Sequence, residues 1–417
     1  MVSARTRLLV ISVVCALAGI APVIHGAGEP DPPDRAEQVA GDQRADQSVR
    51  PGQTSEGIRG EMVEPLPPGR TLPTRVSAKR GWRIAPGVHY QRWKQTSRRG
   101  PIRAHLITAN LRKRGVSLDY ASRRYVPDRG PVGRLVRGER AVAGVNGGFF
   151  DIHDTGAPLG AGVDRQRGFL HAARYTWRNA FYMTRGGAAR IGAMQLSATV
   201  DQYPQMDVTN VNSPAVKGGG IGVYAPDWGH TYGYRITDGQ TKAVRMVVIR
   251  GGRVIANRTG LNSGKLIDAT VLVGRGPGAE QLAQMRVGST ATVRWGLAGR
   301  PALAIGGESV LLLGRKVQVT NDRELHPRTA VGIDRDKGRI LLLVVDGRSK
   351  RSRGYTLVEL ARMMRRLGAE DALNLDGGGS STMVGRTRAG KLALLNRASD
   401  GRQRSVADAL VVKYRKP

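Results

Sequence analysis

The chain has 417 residues, enough for one large or two ordinary folded units with a real core. Its 66 Lys and Arg against 33 Asp and Glu give a formal net charge of +33, which raises nucleic acid as a partner. The arginines are spread along the whole chain, however, and aromatics, at 5%, are too sparse to stack bases, so no specific nucleic acid is expected. The charge suits peripheral attraction to an anionic cell envelope, or phosphorylated and other anionic glycans.

In chain order, residues 1–27 read as a secretory signal peptide. Arg5 and Arg7 form its charged start, Leu8 to Ala21 its short apolar stretch, and Gly26-Ala27 its small-residue end. Cys15, the only cysteine, lies inside that stretch, and Ser12-Val-Val14 lacks the small residue expected before a lipidated cysteine. A mature chain without cysteine forms no disulfide, which fits a secreted protein on a bacterial exterior. Residues 28–80 are rich in Pro, Gly, Asp, Glu, Gln and Arg, and are expected to form a disordered linker.

From Trp82 onward strand patterns dominate. They cover Trp82 to Tyr90, Ala104–Leu111, Arg140–Val145, Ala243–Ile249, Val254–Ala256, Thr290–Trp295, Thr329–Ile333, Arg339–Val345, Ala372–Leu375 and Ala407–Val412. Arg250-Gly-Gly-Arg253 and Asp334-Arg-Asp-Lys-Gly338 read as hairpin turns. The second has the look of a calcium loop, but the position that should close it with an acid is Val345. One helix is well marked: Thr356-Leu-Val-Glu359 is a capping box, Leu357, Leu360, Met363, Met364 and Leu367 share a face, and Gly368 can stop it. It links the strand ending at Val345 to the strand ending at Leu375, which predicts parallel neighbours with their C-terminal ends on one side. The expected fold class is α+β: strand-rich mixed sheets with few helices, in one globular domain over 82–414.

Four strand ends run into polar and glycine residues: Val142-Ala-Gly-Val-Asn-Gly-Gly-Phe-Phe150, His326-Pro-Arg-Thr-Ala330, Val344-Val-Asp-Gly-Arg348 and Asn374-Leu-Asp-Gly-Gly-Gly-Ser-Ser-Thr-Met383. In the last, three glycines bracketed by Asp376 and three hydroxyl residues exceed what a plain turn requires. Gly377, Gly378 and Gly379 let backbone N–H groups approach a ligand without Cβ interference. Asn374, Ser380, Ser381 and Thr382 add polar side chains. Asn146 can bond sugar hydroxyls, though before Gly147-Gly148 a turn role is the commoner one. Arg328, beside Thr329, and Arg348 can grip a phosphate in bidentate fashion, and their place at strand ends sets them apart from other arginines. Asp346 and Asp376 are the carboxylates for acid, base or nucleophile work; the bland role for Asp346 is a turn carboxylate paired with Arg348. Asp376, Asp346 and Asp151 can also supply oxygen ligands to a divalent metal, without a diagnostic spacing. No certain cofactor is implied. Nucleophile-elbow, Walker and His-Glu-x-x-His motifs are missing, and the seven histidines show no paired ligand spacing.

With these segments in order, the chain resembles the phosphodiester glycosidase family over about residues 82–414. Ala85-Pro-Gly-Val-His-Tyr90, Ala143–Phe150, Asn212 through Tyr224-Ala-Pro-Asp-Trp228 and His326–Gly332 support the match, and Leu341–Arg348, Thr356–Ala361 and Asn374–Met383 make it specific. Ile305-Gly-Gly-Glu-Ser-Val310 departs from it, placing Glu308 where a glycine is expected, and is read as an exposed substitution. The resemblance implies hydrolysis of a sugar-1-phosphodiester at the glycosidic C–O bond, leaving a phosphomonoester. A phosphomonoester, with a conjugate-acid pKa of about 6, leaves readily. The site must therefore supply mainly anion stabilisation and a carboxylate for the developing oxocarbenium charge or the attacking water. Asp376 is expected in that role, with Asp346 orienting Arg348 or acting as partner carboxylate. A non-catalytic module binding cell-wall polysaccharide or anionic glycans is the alternative from another class, and a basic protein binding anionic polymers non-specifically is the third.

Overall fold

Apolar alternation and buried apolar runs decide the architecture of this computed structural model, which describes residues 59–67 and 70–417. The expected signal peptide, Cys15 and the linker up to residue 58 lie outside the described residues. Between 59 and 80 the chain is laid against the domain: Glu61–Met62 pairs with Glu324–Leu325, and Arg75–Val76 with Gln95 and Thr96. Leu66 N donates to Asp322 Oδ2 (2.9 Å) as well. The described part of the predicted linker is thus bound by its backbone, whose donors found acceptors that composition does not reveal.

Three sheets dominate. A nine-stranded sheet runs in the order 75–76, 88–97, 100–110, 339–345, 328–334, 371–375, 310–313, 316–317, with 80–85 added to the 88–97 strand. A five-stranded sheet has the order 392–394, 383–386, 143–146, 408–414, 116–122. A ten-stranded sheet is built from strands between residues 162 and 306, and its pair 208–211 with 221–224 is parallel. The described residues contain three α-helices, and none is long and apolar enough to cross a membrane.

Helix Leu357–Arg366 starts at the capping box: Thr356 Oγ1 accepts from Glu359 N (3.1 Å) and Glu359 Oε2 from Thr356 N (3.2 Å). Leu360, Met363 and Met364 face Leu311, Ala330 and Leu343 of the sheet. Each such side chain contributes about 1.5–3 kcal/mol when buried. A Cβ at Gly332 would lie 2.4 Å from Met364 Cε, so this glycine lets helix and sheet approach.

The strands 339–345 and 371–375 are parallel, as the helical link predicts, but they are not neighbours. Strand Arg328–Asp334 lies between them, antiparallel to both, pairing Arg328 with Val345 and Thr329 with Leu375. Arg328–Asp334 forms a tight hairpin with Arg339–Val345, and its far edge takes Asp371–Leu375. The functional consequence survives. Asp346 and Asp376 emerge on the same side of the sheet, about two strand spacings or roughly 9–10 Å apart.

Candidate active site

Strand Asp371–Leu375 is buried throughout, and its ladder stops at Leu375, releasing Asp376 into the region between two sheets. Gly378, at φ +56°, starts a 3₁₀ turn that carries the chain to Met383 in the five-stranded sheet. Gly379 lies directly under the Arg404–Asp400 pair: a Cβ there would lie 2.1 Å from Arg404 Nη2 and 2.2 Å from Asp400 Oδ2. Asp376 N donates to Gly147 O (3.0 Å) and Gly378 N to Pro327 O (2.9 Å). A Cβ at Gly347 would come within 2.6 Å of Pro327 N. Pro327 therefore ties the 346–348 and 376–380 segments to one rim.

The structure revises several roles. Asn146 is fully buried and saturated: Oδ1 accepts from Thr329 Oγ1 (2.8 Å) and Thr382 N (3.1 Å), while Nδ2 donates to Asp376 O (2.6 Å) and, weakly, Gly147 O (3.4 Å). It fastens the two sheets rather than binding sugar hydroxyls, and Thr329 is its partner in this. Arg328 is likewise buried, with Nε donating to Tyr355 O (3.0 Å) and Nη2 to Glu324 O (3.4 Å), so much of its donor fork is spent on backbone. The N–H groups of Gly378, Ser380 and Ser381 are engaged within the turn and by Pro327. What remains open is side chain: Ser380 Oγ, Ser381 Oγ, Thr382 Oγ1 and Asn374 Oδ1 are buried without a hydrogen-bond partner among the described residues. Such groups cost free energy unless a ligand or water meets them.

Asp346 Oδ1 accepts from Arg397 N (3.0 Å) and Asn396 Nδ2 (3.3 Å), and Oδ2 lies 3.3 Å from His105 Nε2. Exposed Arg348 holds a left-handed φ of +54° and places Nη2 3.2 Å from His326 Nδ1. A guanidinium only donates, so His326 accepts at Nδ1 and gives Nε2–H to Glu324 Oε1 (3.0 Å). Burial raises the Glu324 carboxyl, but the Gly60 N–H and His326 outweigh it and hold it low. Glu308 is half-buried rather than exposed, and its Oε2 accepts from Asn374 Nδ2 (3.2 Å). Asp151 is committed to its own turn through Thr155 N and Oγ1 (both 2.8 Å). Among the described residues no group of three or more His, Cys, Asp and Glu could hold a metal ion.

Sequence reasoning missed two parts of this region. Arg404 binds Asp400 through Nε (3.0 Å) and Nη2 (2.7 Å), and keeps a buried Nη1 without a hydrogen-bond partner beside Gly379. Asp408 is buried within electrostatic reach of Asp376. Its Oδ1 accepts from Gly148 N (2.8 Å), and its Oδ2 lies 3.1 Å from the Tyr120 hydroxyl, which lies 2.8 Å from His171 Nε2. His171 Nδ1 is 2.8 Å from Gly160 O, an acceptor, so Nδ1 carries the proton. Burial lowers the imidazole to about 4 and keeps it neutral, which makes Nε2 the acceptor of the single Tyr120 proton. The Asp408–Tyr120 contact then needs a proton from Asp408. Burial, with the Asp376 charge adding to it, raises that carboxyl to about 7, in agreement.

Residues 214–413 match the family model described as phosphodiester glycosidase. Over that stretch the chain is similar to the phosphodiester glycosidase family. The chain is 51% identical over 57 residues to the bovine (Bos taurus) N-acetylglucosamine-1-phosphodiester alpha-N-acetylglucosaminidase, covering 14% of this chain and 10% of that protein. It is 39% identical over 103 residues to the SPbeta prophage-derived uncharacterized protein YomE of Bacillus subtilis (strain 168), 24% of this chain and 15% of that one. The matches thus span a small fraction of the curated relatives' length. A crystal structure of a hypothetical protein from Synechocystis shares the fold, with a TM-score of 0.67 and 23% identity over 81% of this chain and 64% of that one.

Proposed function

We propose that the chain is a secreted hydrolase that cleaves the glycosidic C–O bond of sugar-1-phosphodiesters on cell-surface glycans or exopolysaccharide. The observation that carries this is the set of open polar atoms beside Asp376: three buried hydroxyls at 380–382 and Arg404 Nη1. Hydroxyl donors and a guanidinium in a dry site suit a phosphoryl group on which charge grows as the bond breaks. Asp376 faces the sugar as the carboxylate for the oxocarbenium centre or the attacking water. Asp346, held by His105 and Asn396, is the partner carboxylate, and Arg348 steers the anion at the rim. The phosphomonoester leaves with the bonding electrons, and water supplies the hydroxyl to the sugar carbon.

The test is hydrolysis of UDP-N-acetylglucosamine or a chromogenic sugar phosphodiester. Asp376→Asn should lower kcat by a factor of about 10² or more, in the range of removed acid–base groups. Arg404→Ala should weaken both KM and kcat. Undiminished turnover in the Asp376 variant overturns the assignment. Substrate binding with no turnover by the unaltered protein would instead identify a glycan-binding module.

A further inference from the structure

A cavity of about 220 Å³ opens among residues of the 159–275 region. Leu159, Tyr175, Trp177, Asn210, Lys217 and Arg275 are among its lining residues. The chain that meets Asp376 through Gly147 O runs on to Phe149, whose ring lies 5.2 Å from that of Trp177 and whose carbonyl accepts from Leu159 N (2.9 Å).

The walls are held in a conformation that folding alone does not favour. Trp177 has φ +53°, a region that bulky residues rarely occupy. Asn212, at φ +46°, anchors the Ser213–Gly218 wall by donating Nδ2 to Leu170 O (2.8 Å) and accepting Ala225 N at Oδ1 (2.9 Å). On the floor, Asn210 is buried. Its Oδ1 accepts from Thr209 Oγ1 (3.0 Å), while Nδ2 has the Tyr224 hydroxyl nearby but no hydrogen bond of normal geometry. At the mouth, Lys217 Nζ sits 4.0 Å from the centre of the Tyr175 ring. Tyr175 is itself pinned by its hydroxyl on Asp207 (2.9 Å). Arg275 is neutralised by Asp238 (2.8 Å), which leaves Lys217 as the cation available to a ligand.

We propose that this cavity is a second carbohydrate subsite, taking one pyranose ring that carries a negative substituent. The inference rests on the phosphodiester glycosidase reading above, and places here a further sugar of the glycan whose phosphodiester lies at the rim. The apolar face of the ring packs on the Trp177 indole, an in-plane hydroxyl accepts from Asn210 Nδ2, and the anionic group meets Lys217. An aromatic wall with few convergent polar groups is the usual build of such a pocket. The cavity holds one ring, so the subsite reads a single residue.

Glucose 6-phosphate serves as the probe in a calorimetric titration of the full chain, with methyl glucoside as the neutral control. Expected are binding to the unaltered protein and to Asp376→Asn alike, weakening of at least about tenfold in both Trp177→Ala and Lys217→Ala, and weaker binding of methyl glucoside. Lys217 is exposed, so its variant tests the idea even if Trp177→Ala unfolds. Binding unchanged in Lys217→Ala, binding lost in Asp376→Asn, or no binding of glucose 6-phosphate at all would each overturn the subsite. Because no turnover is read, failure of the catalytic reading leaves this result interpretable: inactivity with Lys217-dependent binding removes the hydrolase and keeps the subsite.

Discussion

Asp408 shows how a single proton can be located once burial keeps the nearby His171 imidazole neutral. The chain of contacts from Gly160 through His171 and Tyr120 ends on a carboxyl that has to donate. A folded-state value near 7, raised mainly by burial, stands above the ordinary carboxylate value of about 3.9. The sign follows. A raised carboxyl contributes stability that is whole below about pH 4 and is lost as pH climbs through about 7. Asp408→Asn reproduces the neutral acid, with its amide donating to Tyr120 and its oxygen accepting from Gly148. Thermal melts at pH 5 and pH 8.5 should show a smaller alkaline loss for the variant than for the parent. Equal losses would mean that Asp408 is ionised in the fold. The sequence did contain a signal for this residue: a lone carboxylate interrupts the apolar run Val406–Val412. Alternation alone cannot say which face it takes until the register with 143–146 and 116–122 is known.

Among the elements, helix Leu357–Arg366 was the most legible, because cap, apolar face and terminator all lie within thirteen consecutive residues, Thr356 to Gly368. Its cap also does long-range work, since Thr356 Oγ1 donates to Asp322 Oδ1 (2.6 Å), and Asp322 in turn takes Leu66 N and Arg99. Thr356→Ala should therefore cost about 1–2 kcal/mol as a lost cap. Hydrogen exchange should report it both in the helix and at Leu66, whereas an effect confined to the helix would show that Asp322 holds the N-terminal segment unaided. The two hairpins were readable for the same local reason. Arg250 and Arg253 flank Gly251 and Gly252, both at positive φ, the geometry of a two-residue hairpin. What stayed hidden was the order of strands in the sheet. The placement of Arg328–Asp334 between two strands joined by a helix depends on its pairing with Asp371–Leu375, which no local window contains. The site was hidden in the same way: Asp376 and Asp346 stand out as strand ends, whereas Arg404 looks like one arginine among many until Gly379 is seen against it.

At the scale of the whole molecule, a net charge of +33 makes long-range attraction to polyanions unavoidable at low salt. Retention on an immobilised anionic polymer should fall steeply between about 20 and about 300 mM NaCl, as the screening length shrinks through roughly 10 Å. Asp376→Asn should leave that retention unchanged, and a salt-independent affinity would show that short-range contacts dominate. The fastening at Asn146 has a different kind of consequence. Its amide joins Thr329 of one layer to Thr382 and Asp376 on the strand leading into the other. The proposed reactive centre is consequently a seam, and a seam parts before the cloth tears. Mild denaturant should extinguish turnover while most β-structure is still intact, and the first amides to lose protection should be those flanking residue 146.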